Sequence, residues 1–181
     1  MFMDPADTAL IVIDVQQKLA PAMHDFEPCA NRIELLLAGA KELRLDTIVT
    51  EQYPKGLGPT LPRFAEKLPE PTPVIAKTGF SVFEEPTFRT ALGAKAHKNL
   101  VFCGIESHVC VLQSVFDALE RGFRVFLAAD AVTSRKPSDR ELALDAARAA
   151  GATVLSAEAL LFMMLGDAKA PAFKAISKLV R

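Results

Sequence analysis

The stretch NLVFCGIESHVCVLQSVFDALERG, Asn99 to Gly122, decides the fold. It opens on an uncharged run, Asn99 to Ile105, that is apolar at consecutive positions rather than alternate ones. That is the pattern of a strand buried on both faces. A short turn follows, and then a helical pattern from about His108 to Arg121, closed by Gly122 in the position of a C-terminal cap. A strand with two apolar faces needs helices above and below it, and the strand–turn–helix order is the unit of a parallel sheet.

The same unit recurs on both sides of this stretch. Strand-like runs lie at Thr8 to Val15, Asp46 to Glu51, Pro73 to Lys77, Arg124 to Ala129 and Thr153 to Ser156. Helical patterns lie at Pro28 to Arg44, Ser138 to Ala150, shortly after Ser156, and at Ala170 to Val180. The Pro- and Gly-rich segment QYPKGLGPTLP, Gln52 to Pro62, reads as a loop. The expected fold is α/β: a three-layer αβα sandwich, Rossmann-like, with a six-stranded, mainly parallel sheet. With no internal repeat or dividing linker, the chain reads as a single domain over residues 1–181.

Composition narrows the ligands. Half of the 181 residues are apolar and 24% are charged, with a net charge of -1. No basic stripe points to nucleic acid or an anionic membrane, so the expected partner is a small molecule. The N-terminal MFMDPADTALIVIDVQQ lacks the basic start of a signal peptide. No apolar run approaches the roughly 18 residues of a membrane span. Three cysteines without a C-x-x-C pair argue against a disulfide framework, and the expected location is cytoplasmic.

Open parallel sheets bind ligands at the carboxyl ends of their strands. The reactive residues expected there are Asp14, Glu51, Gln52, Lys77, the turn Gly104 to Cys110, and Asp130. Cys29, at a helix start, and Cys103, inside a strand, read as structural thiols. Cys110 stands apart. Val109, Leu112, Val115, Phe116 and Leu119 form one helical stripe, and Cys110 falls on the other side with Ser114, Asp117 and Arg121. In the first turn of its helix, free N–H groups and the helix dipole favour a thiolate and can receive an oxyanion. A thiol of this kind should alkylate faster than Cys29 or Cys103. A histidine base is poorly placed: His108 is two residues away and does not face the thiol, and His24 and His97 lie away from the strand ends. Asp14 and Lys77 can pair beside the sulfur, and the lysine charge would favour the thiolate. Each of the three also has a structural reading, as a cap, a buried ion pair or an incidental thiol. The turn GIESHVC has one glycine, and neither a G-x-G-x-x-G nor a Walker sequence occurs.

The segments ALIVIDVQ, TEQYPKGLG, KTGFSVF, GIESHVC and AADAVTSR, in this order, resemble the isochorismatase-like cysteine hydrolases over almost the whole chain. The likeness is strongest to the isochorismatase-domain-containing proteins of undefined substrate. The resemblance implies a catalytic group of Asp14, Lys77 and Cys110, with Asp14 as general base, Lys77 stabilising charge and Cys110 forming a thioester-like acyl-enzyme. It implies a cis peptide between Ile105 and Glu106 and an oxyanion hole built from the backbone N–H groups of Glu106 and Cys110. The implied activity is hydrolysis of a small amide or related acyl compound. The alternatives are isochorismate-type ether hydrolysis and a non-catalytic binding or scaffold protein that keeps the fold. Nicotinamidases of this family hold a metal after the second strand. Here that place reads Glu51, Gln52, Tyr53 and Pro54, without histidine, so no metal and no cofactor are expected. Gln52, Tyr53, Phe80 and Phe83 are the expected pocket walls. A homo-oligomer is expected, with the last helix (Phe173, Ile176, Leu179, Val180) serving an interface or covering its own sheet.

Overall fold

The computed structural model describes residues 3–181. Six strands form one sheet: β1 (Thr8–Ile13), β2 (Asp46–Gln52), β3 (Val74–Lys77), β4 (Asn99–Ile105), β5 (Arg124–Thr133) and β6 (Thr153–Leu155). Their order is β3-β2-β1-β4-β5-β6, and every neighbouring pair is parallel. The chain runs outward from β1 to β3 and then returns to the other side of β1. That reversal places the topological switch point between β1 and β4, where open sheets bind their ligands.

Among the described residues, α1 (Phe26–Leu43), α2 (Pro54–Leu57), α3 (Pro62–Ala65), α4 (Pro86–Gly93), α5 (Leu112–Glu120) and α6 (Pro137–Ala149) connect the strands, and α7 (Ala157–Leu165) and α8 (Phe173–Leu179) follow the last one. Helices α1, α7 and α8 pack on one face of the sheet around Leu10, Val12, Leu36, Leu161 and Ile176. Helices α4, α5 and α6 cover the other around Ile11, Phe88, Phe102, Val115 and Leu144. The alternation of β1 side chains between the two clusters explains why that strand reads as continuously apolar. The three layers agree with the fold expected from sequence. Helix α8 covers its own molecule, with Ile176 fully buried in the first cluster. Among the described residues, no helix is long and apolar enough to cross a membrane.

Three departures from the sequence pattern matter for the site. Strand β1 stops at Ile13 rather than Val15, because Asp14 takes a left-handed conformation with φ 52°. Aspartate tolerates that region better than most side chains. Helix α4 has only two buried apolar anchors, Phe88 and Leu92, so its hydropathy does not announce it. It starts instead on Glu85, whose carboxylate accepts the Thr87 N–H, followed by Pro86 in the first turn. Between β4 and α5 the chain passes through a wide π turn, Ser107–Val111, in which the Val111 N–H donates to the Glu106 carbonyl at 3.2 Å.

Gly104 sits opposite Ile13 in the β1–β4 ladder with φ 116°. A Cβ there would lie 2.1 Å from the Ile13 carbonyl oxygen, a rigid main-chain atom. Both the backbone angle and the space demand glycine. Gly104→Ala should therefore destabilise the protein by about 3 kcal/mol or more. Chemical denaturation should read this as a large fall in midpoint, and a near-neutral result would contradict the close approach.

Candidate active site

Asp14 and Lys77 meet across the end of β2. Asp14 follows β1, Lys77 closes β3, and their side chains are wholly buried with Lys77 Nζ 2.8 Å from Asp14 Oδ2. The other carboxylate oxygen accepts the Thr50 hydroxyl at 2.8 Å. Lys77 Nζ also donates to Gln52 Oε1 at 2.6 Å and to the carbonyls of Phe80 and Gly79 at 3.1 and 3.2 Å. Burying two charges costs several kcal/mol per ion, and this set of partners offsets it.

Cys110 enters from the switch point, in the π turn after β4. Its Sγ lies 4.0 Å from Gln52 Oε1, and the residue is 6% exposed. Burial pushes its thiol up to about 12; the charge of Asp14 adds to the rise and that of Lys77 opposes it. This corrects the expectation of a thiolate held by the helix start and by Lys77. The reason is desolvation: burial together with the Asp14 carboxylate outweighs the lowering by Lys77, whose charge and hydrogen bond both act on the sulfur.

The helical stripe is corrected as well. The buried face of this segment carries Cys110, Val111, Ser114, Val115 and Ala118, whereas Phe116 is 37% exposed and Leu112 and Leu119 are half-buried. A continuous helix from His108 has the wrong phase, because the π turn comes first. The buried hydroxyl of Ser114 is satisfied: it donates to the Cys110 carbonyl at 2.6 Å and accepts the Val82 N–H at 3.0 Å. Ser114 thereby ties the cysteine turn to the loop that follows Lys77.

The Ile105–Glu106 peptide is cis. The Glu106 carbonyl accepts the N–H groups of Val109 and Val111, and its carboxylate accepts Arg135 Nε at 2.9 Å. Gln52 is part of the cluster itself rather than a distant wall. Tyr53 and Phe80 are 56% and 50% exposed, and the Tyr53 ring lies against Gly56. Phe83 is not a pocket wall. It is 2% exposed, its ring packs against Phe88 and Phe123, and Arg121 stacks over it at 5.0 Å. Two carboxylates expected at strand ends also stay out of the group, and Asp130 lies inside its strand because β5 runs on to Thr133. Glu51 accepts the Thr60 N–H and hydroxyl and pins its loop, and Asp130 accepts the Ala157 N–H at 2.7 Å at the start of α7. Cys29 and Cys103 lie in the opposite core layer, where burial raises both thiols. His97 pairs with Asp46 at the start of β2, at the other end of the sheet. His108 contacts the Ser134 hydroxyl. Among the described residues, no group of three or more His, Cys, Asp and Glu is placed to hold a metal ion.

Sequence reasoning missed Gln16. It is fully buried, and its side-chain amide pairs with both main-chain groups of Gln52: Oε1 accepts the Gln52 N–H at 2.7 Å and Nε2 donates to the Gln52 carbonyl at 3.0 Å. The amide thus continues the β1–β2 ladder beyond the point where the β1 backbone has turned away. A glutamine two residues after a strand-closing aspartate carries no hydropathy signal of such a role.

A model of the isochorismatase domain matches residues 8–159. Isochorismatase domain-containing protein 2 of Bos taurus is 36% identical over 178 residues, covering 98% of this chain and 84% of its own. Among solved structures, one described as MAR1 ribonuclease from Caenorhabditis elegans has a TM-score of 0.95 at 40% identity, covering 99% of this chain and 92% of that one. YcaC from Pseudomonas aeruginosa, with hexane-2,5-diol and covalent acrylamide, has a TM-score of 0.90 at 29% identity, covering 98% and 91%. YcaC from Escherichia coli, described as an octameric hydrolase of unknown specificity, has 0.91 at 26%, covering 99% and 90%. The fold is the three-layer αβα fold with a six-stranded parallel sheet that these structures share. The chain belongs to the isochorismatase family.

The neutral thiol has a direct readout. Iodoacetamide labelling of Cys110 should be slow at pH 7 and rise about tenfold per pH unit through pH 10 without a plateau. A plateau at or below pH 9 would show a thiolate already formed.

Proposed function

We propose that the whole chain is one cysteine-dependent hydrolase domain that cleaves a C–N bond of a small amide or related acyl compound. The buried Asp14–Lys77 pair beside the buried thiol of Cys110 carries this reading. A charge pair so costly to bury finds its use in moving a proton and balancing charge.

In this mechanism Asp14 takes the proton of the Cys110 thiol as the sulfur attacks the carbonyl carbon. A neutral resting thiol makes that general base necessary. The backbone N–H groups of Glu106 and Cys110 receive the oxyanion. The C–N bond breaks, and the amine leaves with the proton from Asp14. Water, deprotonated by Asp14, then opens the thioester and returns the thiol. Lys77 balances the negative charge throughout. The exposed Tyr53 and Phe80 supply aromatic surface suited to a small, partly apolar substrate.

Acrylamide is an electrophile that nucleophiles attack at its alkene carbon, and covalent acrylamide in YcaC of Pseudomonas aeruginosa supports a nucleophile in this fold. Ether hydrolysis leaves the placement of Cys110 without a use. The relative from Caenorhabditis elegans carries the name of a ribonuclease. A polyanion calls for a basic face, and this chain balances 21 basic against 22 acidic residues.

Incubation with a panel of small amides should give an acyl adduct on Cys110 by mass spectrometry. Cys110→Ala should keep its circular dichroism spectrum and lose turnover by about 10³-fold or more, and Asp14→Asn should fall similarly. Full turnover by Cys110→Ala would overturn the mechanism. No turnover of any amide by the native chain would favour the scaffold reading.

We also propose a homo-oligomer. Helix α5 exposes Phe116, and the octamer of Escherichia coli YcaC supports assembly in this family. Sedimentation should give a mass above the 19.6 kDa of one chain, lowered by Phe116→Glu. A monomer would refute it.

A further inference from the structure

The ammonium of Lys77 has three N–H bonds and four acceptors within reach: Asp14 Oδ2, Gln52 Oε1 and the carbonyls of Phe80 and Gly79. Four acceptors compete for three N–H bonds, and the sulfur of Cys110, on which Lys77 also acts by charge and hydrogen bond, competes with them. Two of the four acceptors are main-chain carbonyls of the loop after β3, and a third is the carboxylate of the buried pair. Asp14 acts on the thiol as well, and the fourth acceptor, Gln52 Oε1, lies 4.0 Å from Sγ. It carries no net charge, so it is the acceptor most readily exchanged.

The orientation of this amide is fixed. Its Nε2 donates to the Thr78 carbonyl at 2.7 Å, which leaves Oε1 facing Lys77. A flipped amide would set N–H groups against the ammonium. The main chain of Gln52 is held on both sides by Gln16, whose Nε2 also donates to the Gly58 carbonyl at 2.6 Å.

We propose that Gln52 is a positioning residue for Cys110: its side-chain carbonyl occupies a Lys77 N–H while the thiol is protonated and yields that N–H to the sulfur when the thiolate forms. The inference rests on Cys110 being the nucleophile. The step is a proton transfer with a change of hydrogen-bond partner. The thiol proton passes to the carboxylate of Asp14, the electron pair of the S–H bond stays on sulfur, and one Lys77 N–H turns from Oε1 to Sγ. The reverse exchange accompanies return of the proton. The charged groups that act on the sulfur are Asp14, after β1, and Lys77, at the end of β3. Gln52 thus keeps the thiol protonated until a base and an electrophile are both present. Its carbonyl faces sulfur as an acceptor, which favours S–H over a bare anion.

Two substitutions should move the thiol in opposite directions. Gln52→Leu removes the acceptor and frees the lysine N–H for sulfur. Gln52→Glu, nearly the same shape, holds Lys77 more firmly and repels the anion. The experiment is iodoacetamide labelling of the full-length protein from pH 7 to 10, read peptide by peptide by mass spectrometry, with Cys29 and Cys103 as internal controls. Cys110 in Gln52→Leu should label about tenfold faster than in the native protein, and in Gln52→Glu about tenfold slower, a shift of about one pH unit each way. The controls should not change. A change in access alone would speed both variants or neither, and either result overturns the proposal. If Gln52→Leu opens the fold, Cys29 and Cys103 will speed up with Cys110. The Glu variant then decides: slower labelling supports the proposal, and equal or faster labelling overturns it. No substrate is needed, so absence of amide turnover in the native protein would defeat the hydrolase reading while leaving this result separately readable.

Discussion

The ion pair between Lys77 and Asp14 constrains the rest of the structure. Two charges wholly out of water are tolerable only with close partners for each, and these partners come from the end of β2 and the loop after β3. Strand β2 lies between the strands that carry the pair, so its end must supply the intervening groups, and Thr50 and Gln52 do so. The loop after β3 must curl back to offer the carbonyls of Gly79 and Phe80. Asp14 must leave the strand in a left-handed turn with its N–H still donating to the Thr50 carbonyl. The order β3-β2-β1 is therefore a requirement of the charge pair as well as a topological habit.

The sulfur reaches this pair from the other side of the switch point. Gly104 lets β4 press against Ile13, and the wide turn that follows swings Cys110 toward the strand ends. Ser114 then clips the turn to the loop beyond Lys77. The aspartate after β1, the lysine that closes β3 and the cysteine in the turn after β4 thus come together, all buried. Burial has a chemical consequence: it pushes the Cys110 thiol up to about 12, so use of this sulfur as a nucleophile would call for a base.

Much of this was legible in the chain. The apolar runs and the helices between them define a parallel sheet, because a strand with two apolar faces has no other stable setting. The rule that ligands gather at strand ends singled out Asp14, Gln52, Lys77 and the GIESHVC turn, and the structure brings these together. The same rule also named Glu51 and Asp130, which it does not. Strand ends share an edge of the sheet, but an edge is wider than a site, and side-chain direction selects among its members.

The sequence by itself determined the layers, the polarity of the sheet and the presence of a thiol, an amine and a carboxylate at its carboxyl edge. Those follow from hydropathy and residue type, which are local. The tertiary structure alone decided the protonation state of Cys110, the burial of Phe83 in the core and the exposure of Phe116. It also decided that Gln16 and Gln52 complete the cluster. These depend on phase and on desolvation. One π turn shifts every side chain after it around the helix axis, and the state of a thiol is set by how much water its neighbours exclude.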